Sequence, residues 1–176
     1  MPGQTLVAIF LATVCACSSH AQDGLDLVAK ERIGDLRIGG SEADVKKNVD
    51  CPLKSGEAWK SATLRPAGDR RLFGPARYHE DWENVSCGIK VGMMGKAGSS
   101  MSIESIAVFA PSTLSTAKGI RIGSTEQDVM KAYAADWNKQ VNEAGKAFVA
   151  GSVDRGLIFY FENGRVIRIL LRAKVE

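Results

Sequence analysis

The chain has 176 residues, with 23 Lys and Arg against 20 Asp and Glu, a net charge of +3. So mild a balance argues against nucleic acid, which favours strongly basic, clustered surfaces. Beyond the N-terminal stretch no segment reaches the roughly 20 apolar residues that a membrane-spanning helix needs, so the composition fits a folded domain of ordinary size.

Residues 1–22 contain no Lys, Arg, Asp or Glu. Leu6 to Cys17 is an apolar run too short to span a bilayer, followed by small and polar residues. It reads as a secretory signal, with Ser19 and Ala21 as the small residues before a cut at Gln22. The alternative is a lipoprotein signal, because Val14-Cys15-Ala16-Cys17 resembles a lipobox that would anchor the chain at Cys17. Either way the reading is export to a bacterial envelope compartment such as the periplasm, with cleavage to a soluble protein placed ahead of lipid anchoring.

Export gives the remaining cysteines a meaning. Cys51 and Cys87 form an even pair in an oxidising compartment, so a disulfide between them is expected. Two thiols with His79 nearby do not make up the four soft ligands of a structural zinc site. No metal and no cofactor are expected.

An internal repeat organises the rest. Leu36 to Lys47 reads LRIGGSEADVKK and Ile120 to Lys131 reads IRIGSTEQDVMK. At an offset of 84 residues, Arg37, Ile38, Gly39, Glu42, Asp44, Val45 and Lys47 recur as Arg121, Ile122, Gly123, Glu126, Asp128, Val129 and Lys131. Ser41 and Thr125 suit helix N-caps, with Asp44 and Asp128 three residues on as in a capping box. In the second copy Val129, Tyr133, Trp137 and Val141 recur at helical spacing and predict a long helix with one apolar face. The first helix should be shorter, with Val45 and Val49 inward and Pro52 bounding it.

Strand pairs follow each helix. In the second copy, Gly156 to Phe161 leads through Asn163-Gly164 into Val166 to Leu171, a strong hairpin signal. In the first, Gly88 to Met93 and Ile103 to Phe109 hold the same places, joined by a longer turn rich in Gly and Ser. Further strands are expected at Ala62 to Arg65 and Ala147 to Gly151. The predicted fold class is α+β, a tandem repeat of a helix followed by an antiparallel sheet, with helices packed on one sheet face. A leader over 1–21 would precede unit one (22–110, with a long insertion and the disulfide) and unit two (111–176), jointed at Ala110-Pro111-Ser112-Thr113.

Ile38, Gly39, Ser41 and Val45, then Ile122, Gly123, Thr125 and Val129, then Leu157, Phe159, Gly164 and Val166 carry a resemblance. The pattern resembles the tandem repeats of the β-lactamase inhibitory protein. It is also similar to the single unit of the small lipoprotein of the outer-membrane barrel-assembly machinery. The resemblance implies a fold unit and a binding role, and does not extend to inhibition of a β-lactamase in particular.

Catalytic motifs are wanting. His79 lies in Tyr78-His79-Glu80-Asp81-Trp82-Glu83, which reads as a polar loop without a matched nucleophile. Gly92 to Gly98 lacks the ending of a phosphate loop. There is no G-x-S-x-G or H-E-x-x-H arrangement. The chain reads as a non-enzyme.

Two surfaces could bind a protein. Strand alternation sets Ile106 and Val108 against Leu171 and Ile169 inward. That leaves Ser105 and Phe109 beside Arg172 and Arg168 on the open face, near Lys90, Ile158 and Tyr160. The insertion between Lys54 and Glu83 is the second surface, carrying Arg65, Arg70, Arg71, Phe73, Arg77, Tyr78 and Trp82. The expected function is a periplasmic inhibitor or immunity protein that occludes a secreted toxin or hydrolase. The alternative is an envelope-assembly or structural accessory protein, lipidated at Cys17.

Overall fold

The Asn-Gly pair is the turn of a hairpin. In the computed structural model Asn163 and Gly164 have φ of 51° and 71°, the doubly left-handed turn that matches the twist of the flanking strands. The model describes residues 20–61, 77–96 and 98–173, the side chains of 20–23 excepted.

The chain runs α1 (His20–Lys30), α2 (Glu42–Asn48), β1 (Lys54–Ser55), β2 (Trp59–Lys60), β3 (Tyr78–Asn84), β4 (Ile89–Gly95), β5 (Ser102–Phe109), α3 (Glu126–Ala132), β6 (Ala147–Gly151), β7 (Arg155–Glu162) and β8 (Arg165–Ala173). The eight strands form one antiparallel sheet in the order β1-β3-β4-β5-β8-β7-β6, with β2 also on β3. The fold is α+β. Because β5 pairs with β8, the sheet runs unbroken across the joint at residues 110–111.

Both short helices start from the same device. Ser41 Oγ accepts the Asp44 amide at 3.2 Å, and the Asp44 carboxylate accepts the Ser41 amide at 2.8 Å. Thr125 and Asp128 repeat this at 3.1 and 3.0 Å. In each case two otherwise orphaned donors of the first turn are satisfied. The hydrogen bonds from the cap residue hold each Asp carboxyl below the usual carboxylate range.

The second helix is shorter than its periodicity predicts. It ends at Ala132, as long as α2 rather than longer, and a single 3-10 turn follows over Ala134–Asp136. Trp137 then bridges to Ala150, and the Asn138 amide donates to the Val149 carbonyl at 2.9 Å. Residues 137–138 therefore run beside β6 as extended chain. Tyr133 and Trp137 still reach the core, while Val141 is exposed.

Two elements were hidden in the sequence. Residues 78–83, expected as a loop, are strand β3, paired with β4 from Tyr78↔Gly95 to Asn84↔Ile89. Its residues are mostly polar on both faces, so no apolar alternation announces it. α1 carries Leu27 and Val28 into the core beside a Gly24 whose missing Cβ would lie 2.6 Å from the Arg155 carbonyl oxygen. The expected strand at 62–65 and nearly all of the leader, with Cys15 and Cys17, lie outside the described residues. No helix among the described residues is long and apolar enough to cross a membrane.

The core gathers Ile89, Val91, Met93, Ile106, Val108, Ile169, Leu171, Leu157 and Phe159 from one side of the strands, with Leu27, Val28, Val45 and Val129 from the helices. Ile106 pairs with Leu171 and Val108 with Ile169, all four facing inward as alternation expects.

At the edge of this core sits a buried carboxylate. Glu31, 2 % exposed, accepts the Ala117 amide at 2.7 Å and its neighbour Arg32's amide at 2.9 Å on one oxygen. The other oxygen accepts the Tyr133 hydroxyl at 2.7 Å. Three donors compensate for its removal from water. Burial, reinforced by this negative neighbour, pushes the Tyr133 hydroxyl above the ordinary tyrosine range. The folded state thus keeps a proton that the unfolded chain loses near pH 10. The contribution is whole below about pH 10 and drains away above it, at about 1.4 kcal/mol per pH unit. Urea unfolding followed from pH 9 upward should show this slope, and Tyr133→Phe should flatten it.

Cys51 and Cys87 are joined in a disulfide, 36 residues apart in sequence. Closing a loop of that length restricts the unfolded chain by about 4 kcal/mol in the chain-entropy account. The double substitution Cys51→Ala with Cys87→Ala should lower the unfolding free energy by roughly that much in denaturant titrations, leaving the m-value changed mainly by the freed unfolded chain.

Candidate functional site

The face of the sheet opposite the core is built in rungs. Lys90, Ala107, Leu170, Ile158 and Val149 stand side by side on β4, β5, β8, β7 and β6. Of these, Ala107, Ile158 and Val149 are buried and give the face an apolar floor. On one side of that rung lie Phe109, Arg168 and Tyr160, with the Arg168 guanidinium 5.6 Å from the Tyr160 ring centre. On the other side lie Gly92, Ser105, Arg172 and Gly156.

A bulge completes the second end. Gly92 pairs with Ser105 and Met93 with Ile103, so Glu104 is the extra residue on β5. Bulges re-aim side chains, and here the Glu104 carboxylate meets His79 Nδ1 at 2.8 Å. The β3 register places His79 opposite Met94 and on the face of the apolar floor, away from the core. Trp59, opposite His79 on β2, stacks on the imidazole at 4.2 Å with planes 12° apart. Trp59, His79, Glu104, Ser105, Leu170, Arg172 and Ala173 line a half-open cavity of about 360 Å³.

The charges around it are unevenly matched. Lys90 pairs with Asp81 at 2.8 Å, and Glu104 is engaged by His79. The side chains of Arg172 and Ser105, neighbours across the β5–β8 ladder, make no hydrogen bond or ion pair with a described residue. Among the described residues there is no group of three or more His, Cys, Asp or Glu placed to hold a metal ion.

The residues singled out in the sequence separate into three groups. Phe109, Tyr160, Arg168 and Arg172 come together on the open face, with Lys90 and Ile158 beside them. Arg65, Arg70, Arg71 and Phe73 lie outside the described residues. Arg77, Tyr78 and Trp82 do not join the open-face group. Arg77 reaches the Met94 sulfur at 3.9 Å, and Tyr78 receives the Lys60 ammonium 5.9 Å over its ring. Trp82, opposite Val91, packs against the core under Lys46. Alternation along β3 is the reason for Tyr78 and Trp82, which stand an odd number of residues from His79 and face the other way, while Arg77 precedes the strand. His79, Glu104 and Trp59 were not read as a site in the sequence, since long-range pairing and one bulge bring them together.

Comparison of the chain with protein-family models, with curated proteins and with solved structures finds no match in any of the three.

The rung of Ser105 depends on a glycine. A Cβ on Gly92 would lie 2.4 Å from Ser105 Oγ, but 3.6 Å from Ser105 Cβ. Gly92→Ala should therefore displace the hydroxyl and cost about 1–3 kcal/mol, the usual range for overpacking. Adding Ser105→Ala should recover most of it, a coupling that thermal unfolding of the two single variants and the double variant would measure.

Proposed function

We propose that this chain is an exported, non-enzymatic binding protein that engages a protein partner through the open face of its sheet, in the manner of an inhibitor or immunity protein. The observation that carries the reading is the contiguous set Phe109, Arg168 and Tyr160 on three adjacent strands, facing away from the core. Aromatic residues and arginine are the side chains that most often anchor protein interfaces. They stand here on rigid, fully paired strands, so little ordering is lost on association.

On this reading the architecture is a tandem repeat. Each copy supplies a capped seven-residue helix (α2 or α3) and an antiparallel pair (β4–β5 or β7–β8), and the copies join edge to edge at β5–β8. The helices would cover one face and leave the other for the partner. The repeated capping boxes and the repeated burial of Val45 and Val129 support this. Export rests on the apolar leader over 1–21, and the disulfide is consistent with it. The partner would be a secreted toxin or hydrolase, whose active site the bound face occludes.

The test is co-purification of the chain with secreted enzymes from its own envelope extract, followed by titration of the captured partner. Tyr160→Ala and Arg168→Glu should each weaken the complex tenfold or more, with circular dichroism of the free variants unchanged. A complex that forms with equal affinity in both variants would remove the open face from the interface.

A further inference from the structure

We propose that the cavity between Trp59 and Arg172 is a binding site for a small organic carboxylate with a flat apolar body, distinct from the protein-docking role above. Four observations lead there. First, the half-open space of about 360 Å³ falls at the small end of ligand pockets, which run from about 300 to 1,000 Å³. Second, the wall is mixed: Trp59, Leu170 and Ala173 are apolar, and His79, Glu104, Ser105 and Arg172 are polar and converge on the same space.

Third, the polar groups divide into satisfied and unsatisfied. Glu104 and His79 bond each other at 2.8 Å, so the cavity's carboxylate is already occupied. The Arg172 fork and the Ser105 hydroxyl, adjacent across the ladder, have no described side-chain or backbone partner. A planar fork beside a hydroxyl donor is the arrangement that takes a carboxylate by parallel, charge-assisted hydrogen bonds. Fourth, glycines flank the Ser105–Arg172 pair in its rung: Gly92 leaves room for the Ser105 hydroxyl, 2.4 Å from where a Cβ would stand, and Gly156 lets the backbone of Ala150 and Ser152 close in beside Arg172.

In the bound arrangement the carboxylate lies on Arg172 and Ser105, and the apolar body lies between Trp59 and Leu170. The His79–Glu104 pair fixes the wall on which Trp59 stacks, which makes His79 a positioning residue.

Benzoate is the probe, with benzamide as its uncharged isostere, titrated into the full chain and followed by amide and indole NMR resonances. Expected are shifts confined to Trp59, 104–105 and 170–173, binding at least tenfold weaker for benzamide, and at least tenfold weaker benzoate binding in Arg172→Met. Arg172→Lys, which keeps the charge and loses the fork, should weaken benzoate several-fold. The comparison of the two probes on the unaltered chain needs no variant to fold. Equal binding of benzoate and benzamide, shifts elsewhere on the surface, or no shifts at all would overturn the assignment. So would tighter binding of a capped Gly-Asp-Gly peptide than of benzoate, which would make the cavity a receptor for a protein's acidic side chain. None of these readouts involves a protein partner, so they stand apart from the fate of the docking reading.

Discussion

The pairing of β5 with β8 is the contact on which the molecule depends. From Ser105↔Arg172 to Phe109↔Arg168 it joins a strand from each side of the joint into one ladder. Without it the two hairpins would each present an unpaired edge and a half-covered apolar face. With it, Ile106, Val108, Ile169 and Leu171 close a single core, and the reverse side of the same residues' strands becomes one continuous surface. Phe109, Arg168 and Arg172 on that surface take their spacing from this ladder, and the β7–β8 ladder adds Tyr160 beside them.

Irregularity is concentrated where the surface turns from plain sheet into a cavity. The single extra residue on β5 frees Glu104 from the ladder and sends it to His79. The glycine opposite Ser105 makes room for the Ser105 hydroxyl, which a Cβ there would strike. At this end Arg172 and Ser105 stand side by side without a described hydrogen-bond partner, whereas at the Phe109 end the Arg168 guanidinium lies over the Tyr160 ring. One face therefore holds two chemically different ends, separated by the floor of Ala107, Leu170 and Ile158.

Local signals in the sequence translated well where they rest on local physics. The capping boxes at Ser41 and Thr125, the Asn163-Gly164 turn and the inward set on β5 and β8 each follow from near neighbours or from strict alternation. The extended helix through Val141 failed because the four-residue spacing of Tyr133 and Trp137 is met by a 3-10 turn and a stretch of chain along β6. β3 was opaque because partners on both sides, rather than an apolar stripe, hold its polar residues in place. The open face was legible in its outline of Phe109, Tyr160, Arg168 and Arg172. Its cavity was not, since no sequence rule foretells that residues 59, 79 and 104 meet.

The disulfide lies away from all of this, yet it governs how Trp59 is held. Trp59 sits on a two-residue strand, and the chain from Cys51 to that strand has few regular contacts beyond β1 and β2 against β3. Cys87 belongs to the turn that carries β3 into β4. Oxidation therefore staples the strip bearing the indole to the very turn that sets the His79 strand. With the disulfide reduced, the strip would keep only non-covalent ties: its ladder positions on β3, bonds such as Gly56 to Asp81, and the Trp59–His79 stack. One wall of the cavity thus depends on a covalent tie made outside it, so the oxidation state of a distant cysteine pair bears on how firmly an exposed indole is placed.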